Sequence, residues 1–144
     1  MEIFNYHVLD GFGAYPESPL PSQFFDIFVK NANRAYVVEI DGRVDGFGLM
    51  RSYLPFSTFS RTAQLAYFLD PETLGLGLGS ALLDRLVSDA ELQGIRVLLV
   101  HLSSENTRSL AFHVRHGFRE CGRFPGVGKK SGRIFDQVWM YRDI

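Results

Sequence analysis

Cysteine is almost missing from this sequence: Cys121 is the single one in 144 residues. One thiol excludes an intrachain disulfide and a multi-cysteine metal site, and its scarcity suits a reducing compartment, the cytoplasm by default. Charge of one sign is not in excess either. Fifteen Lys and Arg against 16 Asp and Glu leave a formal net charge of −1 without long runs, so nothing argues for a nucleic-acid surface or a polybasic membrane patch. No apolar run approaches the roughly 18 residues of a membrane span. The opening Met1-Glu-Ile-Phe-Asn-Tyr-His7 lacks the basic region and apolar block of a secretory leader. Lysine is absent between Lys30 and Lys129, which removes any phosphate-binding lysine from mid-chain.

What is present is apolar material. Hydrophobic residues make up 46% and include thirteen Phe, enough for one domain over residues 1–144 with a sizeable core. Ile3 to Val8 reads as a short strand followed by an irregular loop, and Pro21 to Ala32 as a short helix. Two strands, Ala35–Ile40 and Arg43–Tyr53, flank an Asp41-Gly42 pair of the hairpin type. A strand over Thr62–Leu69 then enters Asp70-Pro-Glu-Thr-Leu-Gly-Leu-Gly-Leu-Gly-Ser80. Leu82, Leu83, Leu86, Val87 and Ala90 follow at helical spacing until Gly94. Val97–Val100 is a continuous apolar strand, Ser103–Asn106 a polar turn, and Thr107–His116 a helix stopped by Gly117. Strands over Phe118–Gly122 and Ile134–Tyr141 are separated by the glycine-rich, basic loop Pro125–Gly132. Hairpin, strand-helix-strand-helix and terminal strand pair together predict a mixed α/β sheet.

The glycines at 75, 77 and 79 lie between a strand and a helix start. There the backbone can approach a ligand closely, and unpaired N–H groups with partial positive charge face an anion such as a pyrophosphate. A dinucleotide fingerprint fits poorly, because its third glycine falls on Ser80 and no acid ends the next strand. A triphosphate P-loop fails for want of Gly-Lys-Ser/Thr.

Gly77 and Gly79 match the two small positions of the acetyl-coenzyme A loop of the GNAT superfamily. Asn106-Thr-Arg-Ser-Leu-Ala-Phe-His-Val-Arg-His-Gly-Phe118 resembles that superfamily's second motif helix. Thr62, Pro71, Gly77-Leu-Gly-Ser80, Gln93-Gly94, Asn106, Ser109, His113, Gly117-Phe118 and the tail Gly128-x-Lys130-x-Gly132-x-x-x-Asp136 resemble the phosphinothricin acetyltransferase branch. The likeness covers residues 34–144, leaving residues 1–33 divergent or shortened.

This resemblance implies a single-domain acyl-CoA N-acyltransferase fold. Its central mixed, mostly antiparallel sheet is splayed between its two middle strands and flanked by helices. It implies transfer of an acetyl group from acetyl-CoA, with no metal, to the amine of a small, amino-acid-like acceptor by direct attack in a ternary complex, and a possible homodimer. For the coenzyme it implies the backbone of Tyr67, Phe68 and Leu69, the loop Leu74, Gly75, Leu76, Gly77, Leu78, Gly79 and Ser80, and Asn106, for which helix capping is the competing reading. His113 stands where many members place a tyrosine that protonates the leaving thiolate, and an imidazole can give or take a proton there. The side chain of Tyr67 reads as core, and His116 as a cation suited to a helix C-terminus.

Two residues depart from the pattern. Gln64 stands where the branch carries a glutamate general base, and an amide cannot accept that proton; water, His101 or Glu72 are the candidate replacements. Leu74 replaces a Gln or Arg, losing a polar contact while the amides remain. These departures motivate a rival reading, a catalytically weak acyl-CoA-binding module with a sensing or interaction role. In the tail, Lys129, Lys130 and Arg133 are candidates for an acceptor carboxylate. Asp136 and Trp139 are expected to fix the terminal strand, and Cys121 to be a buried small hydrophobe.

Overall fold

The computed structural model describes residues 1–144. In chain order the elements are α1 (Glu2–Leu9), α2 (Phe24–Lys30), β1 (Arg34–Ile40), β2 (Arg43–Ser52), β3 (Thr62–Leu69), α3 (Leu78–Leu92), β4 (Val97–Ser103), α4 (Thr107–Arg115), β5 (Arg119–Lys130) and β6 (Arg133–Asp143). The six strands form one sheet in the order β1-β2-β3-β4-β6-β5, antiparallel at every junction except β3 with β4. Asp41 and Gly42, both at positive φ, close the β1–β2 hairpin as the paired turn chemistry requires.

Each face of the sheet has its own core. Helix α3 lays Leu82, Leu83, Leu86, Val87 and Ala90 against Leu65, Leu98, Val100, Val138 and Met140, and Phe118 closes the same cluster behind α4. Leu83, Leu86 and Leu98 are wholly buried, each contributing about 1.5–3 kcal/mol by its removal from water. On the opposite face α1 and α2 cover Phe47, Leu49 and Phe68 with Phe4, Val8, Phe25 and Phe28. The period of two in β3 sorts its side chains accordingly. Leu65, Tyr67 and Leu69 belong to the α3 side; Phe68 packs in the α1–α2 cluster.

The parallel junction is short. Thr62, Ala63 and Gln64 pair with Val97, Leu98 and Leu99, and beyond that point the two strands no longer pair. β3 stays on β2 through Leu69 and β4 stays on β6 through Ser103, so each keeps one satisfied edge while the middle of the sheet opens. The predicted splay is therefore present, set between Leu65–Leu69 and Val100–Ser103.

Three local readings are corrected. Ile3–Val8 is helical rather than extended, because Phe4 and Val8, four apart, bury one helical stripe against Phe68 and Phe28. Its aromatic, β-branched composition suggests strand, but tertiary packing overrides that propensity. The Pro125–Gly132 loop is mostly strand: β5 runs to Lys130, and its irregularities are bulges at Glu120/Gly122 and Phe124/Gly128. Asp136 holds the second bulge by accepting from the Gly126 amide at 2.8 Å and pairing with Arg123 at 3.1 Å, in keeping with its expected structural role. Cys121, at the first bulge, is exposed rather than buried.

Candidate active site

The opening between β3 and β4 continues into a cavity of about 1260 Å³ that reaches both faces of the sheet. Gln64, Tyr67, Phe68, Leu69, Leu74, Gly75, Gly77, Leu78, Gly79, Ser80, Asn106 and His113 all line it. Leu76 is the exception. Its side chain points to solvent, and its amide donates to the Thr73 carbonyl at 3.4 Å.

At one end lies the start of α3. Gly75 and Gly77 have φ of +86° and +81°, a left-handed conformation that other residues resist, and a Cβ at either would meet nothing within 4 Å. Backbone aim, not crowding, requires glycine there. Gly79 differs, since its missing Cβ would sit 3.2 Å from Leu69 Cδ1 and 3.3 Å from Phe112 Cε2. The amides of Gly75 and Gly77, with those of Leu78, Gly79 and Ser80 in the first helical turn, donate to no backbone carbonyl. The result is a cluster of unspent donors at the positive end of a 15-residue helix.

Helix α4 closes the same end. Asn106 is its N-cap, with Oδ1 accepting from the Ser109 amide at 3.3 Å, so the capping reading holds for that oxygen. Ser80 Oγ lies 2.8 Å from Nε2 of His116, whose Nδ1 donates to the Phe112 carbonyl at 2.8 Å. His116 thus ties the end of α4 to the start of α3. Arg108 and Arg115 also line the cavity here, and neither has an ion-pair partner.

His113 is buried, and both ring nitrogens are engaged. Nδ1 meets the Ser109 carbonyl at 2.7 Å; a carbonyl only accepts, so Nδ1 carries the proton and Nε2 of the neutral ring accepts from the Tyr67 hydroxyl at 2.5 Å. Burial pushes the imidazole down to about 4, against a smaller opposing effect of the Ser109 bond, and burial holds the Tyr67 phenol well above its ordinary range. Both groups are neutral near pH 7. The Tyr67 side chain thus lines the cavity with its hydroxyl bonded to His113, a placement that its apolar strand context conceals.

The other end faces α1 and α2. Gln64 is buried at the last β3–β4 pair, opposite Arg51 on β2. Arg51 lines the cavity and has neither an ion pair nor a hydrogen bond. His101 follows on β4, two residues beyond Leu99, the partner of Gln64, and so on the same face. Its Nδ1 is 2.9 Å from the Tyr15 hydroxyl, and its ring lies 4.7 Å from that of Trp139. Glu72, the other candidate base, is exposed outside the cavity lining and 3.5 Å from Arg43.

The N-terminal segment is held by the β5–β6 hairpin. Lys130 is buried and donates to the Ala14 carbonyl at 2.6 Å; the Ser131 amide donates to Glu17 at 2.9 Å; Phe135 stacks on Tyr15. Arg133 pairs with Glu105 and covers the Phe12 ring. Neither Lys130 nor Arg133 lines the cavity, nor does Lys129, so the expectation that these bases meet a carboxylate is replaced by a clamp on residues 12–17. The same segment places His7, whose Nε2 donates to the Leu69 carbonyl at 2.7 Å where β3 ends. A glycine- and proline-rich stretch full of aromatics was the only sequence signal for this wall.

Comparison with known proteins agrees with this geometry. The model of the acetyltransferase (GNAT) family matches residues 1–118. An L-methionine sulfoximine/L-methionine sulfone acetyltransferase of Pseudomonas paraeruginosa is 34% identical over 103 residues, 72% of this chain and 60% of that protein. A phosphinothricin N-acetyltransferase of Alcaligenes faecalis is 31% identical over 99% of this chain and 75% of its own length. The match to the first of these spans under two thirds of that relative. Among solved structures, a GNAT superfamily phosphinothricin acetyltransferase from Sinorhizobium meliloti in complex with AcCoA superposes with a TM-score of 0.87 at 27% identity, covering 99% of this chain and 80% of that one. The chain belongs to the GNAT acetyltransferase family, and its relatives include the phosphinothricin branch. No helix is long and apolar enough to cross a membrane.

Proposed function

We propose that this chain is an acetyl-CoA-dependent N-acetyltransferase acting on the amine of a small, amino-acid-like acceptor by direct attack in a ternary complex. The observation that carries the reading is the single cavity through the splayed sheet, with unspent helix-start amides at one end and a polar wall at the other. Acetyl-CoA, when bound, supplies the activated thioester. The amides of Gly75 and of Gly77 to Ser80 replace water around its pyrophosphate, a task that needs no side chain and so tolerates Leu74. The unpaired edge of β3 over Tyr67, Phe68 and Leu69 lies along the gap, where backbone donors hold the pantetheine arm and polarise the carbonyl.

His113 and Tyr67 act as a pair. With Nδ1–H on Ser109, the imidazole holds the Tyr67 hydroxyl at the gap, where it would be available to the departing thiolate of a bound coenzyme. Asn106 has spent Oδ1 on its cap, which leaves the Nδ2 donors for the coenzyme. On the acceptor side Arg51 is the free cation suited to the carboxylate of an amino-acid-like substrate, a charge-assisted contact worth about 1.5–3 kcal/mol. Gln64 orients water or the amine but accepts no proton.

Calorimetric titration with acetyl-CoA, followed by thiol release over an amine panel including methionine sulfone and phosphinothricin, tests the proposal. Binding with turnover of at least one amino-acid-like amine is expected. Binding without turnover of any amine would favour the acyl-CoA-binding module that Gln64 suggests.

A further inference from the structure

Gln64 lines the cavity but its amide cannot accept the amine proton, and the cavity contains few groups that can. Three histidines line it. His113 has both nitrogens engaged, and His7 donates through Nε2 to the Leu69 carbonyl. Among the carboxylates, Glu105 pairs with Arg133, and Asp10 accepts from Tyr6 at 2.7 Å on the exposed outer rim. His101 keeps a ring nitrogen, Nε2, without a partner while lining the acceptor side; the other unpartnered nitrogen, Nδ1 of His7, is packed against Gly13.

Its surroundings are ordered. Trp139 Nε1–H donates to Gln137 Oε1 at 3.0 Å, which fixes the amide so that its Nε2 points toward Tyr15 and His101, 3.3 Å from the phenol oxygen. Trp139 lies against one side of the imidazole, and Tyr15 is nearly parallel to it, at 10° between planes. The Tyr15 oxygen has lone pairs for both the Gln137 amide and a proton on Nδ1, while Gln137 Nε2 also lies 3.4 Å from Nδ1, a contact that favours the other tautomer. Base function requires the first arrangement, with Nε2 as the acceptor.

Resting on the acetyltransferase reading, we propose that His101 is the general base of the reaction, held by Tyr15 from the N-terminal segment. As the amine lone pair forms the N–C bond to the thioester carbonyl carbon, the C–S bond breaks and its electron pair goes to sulfur. The proton lost by nitrogen goes to Nε2 of His101, giving an imidazolium whose Nδ1–H donates to Tyr15. Water then removes that proton, and solvent returns one to the sulfur. Two ionisable groups face the ring, Arg51 from β2 and Tyr15, while Gln64, Gln137 and Trp139 carry no charge. Burial, and secondarily the Arg51 charge, lower the imidazole below its ordinary value, so the accepting form prevails at pH 7.

The test has three arms. In the free protein, nitrogen NMR of the histidine rings is expected to show His101 protonated on Nδ1 and titrating below pH 6.5; an Nε2–H tautomer would overturn the proposal. His101→Gln is expected to lower kcat by about 10²–10⁴-fold, abolish the acidic limb of kcat/KM and leave acetyl-CoA binding by calorimetry intact. Adding Gln64→Glu to that variant restores a base on the same face and is expected to recover at least tenfold of the rate. If His101→Gln retains the wild-type rate and acidic limb, His101 is not the base although the enzyme reading stands. If the wild-type protein turns over no amine, that reading fails and this proposal with it.

Discussion

The Tyr67 hydroxyl donates to Nε2 of His113 at 2.5 Å across the side of the sheet where β3 and β4 have parted. One residue belongs to β3 and the other to α4, so this bond spans the opening that the strands themselves do not close. Tyr67→Phe leaves a buried nitrogen without its donor, which costs about 1–3 kcal/mol. Urea unfolding at pH 7.5 should show that loss. Thiol release should fall more than tenfold, with acetyl-CoA affinity within about threefold, because the amide cradle is untouched.

Acid should destabilise the protein through the same histidine. Its imidazole titrates at about 4 in the folded state against 6.5 in an exposed chain. Between those values the unfolded chain binds a proton that the folded one refuses, so stability is full above pH 6.5 and is lost as pH falls toward 4. One such group accounts for about 3 kcal/mol. His101 shifts in the same direction, so the checking measurement is a difference. Unfolding free energies of wild type and His113→Gln, followed from pH 7.5 to 4.5, should converge as pH drops.

Glycine has two distinct jobs at the start of α3, and two substitutions separate them. Gly77→Ala forces a left-handed backbone on a residue with a Cβ, at about 1–2 kcal/mol, and should weaken acetyl-CoA binding roughly tenfold as the amides lose their aim. Gly79→Ala crowds Leu69 and Phe112 by a few tenths of an ångström but gains about 1 kcal/mol of helix propensity. Its melting temperature and acetyl-CoA affinity should stay near wild type.

Arg51→Gln removes the one unpaired cation beside Gln64. KM for an amino-acid-like acceptor should rise about 10–100-fold, the equivalent of a lost charge-assisted contact. For the same acceptor with its carboxylate amidated, wild type and variant should behave alike. An unchanged KM for the free acid would assign carboxylate binding elsewhere.

The parts legible in the sequence are those written in local pattern. Asp41-Gly42 announces its hairpin, the Leu82–Ala90 spacing its helix, and Gly75–Ser80 with Asn106–Phe118 the turn and helix that line one end of the cavity. Those motifs lie within short stretches whose backbone chemistry decides the structure. The opposite end of the cavity is not legible, because it is assembled from residues far apart. Tyr15 reaches His101 across 86 positions and Lys130 reaches Ala14 across 116. Tyr67 was hidden differently: in an apolar strand its hydroxyl looks incidental until α4 brings His113 onto the same face. The helix at Glu2–Leu9 is not legible because β-branched and aromatic composition masks the four-residue spacing of Phe4 and Val8.

The most direct measurement is the stoichiometry of thiol and amide. Incubating the protein with acetyl-CoA and methionine sulfone or phosphinothricin should release free CoA thiol in an amount equal to the N-acetylated amine found by mass spectrometry, far faster than in buffer. Acetyl-CoA bound tightly, with thiol appearing no faster than in buffer for any amine, would contradict the account.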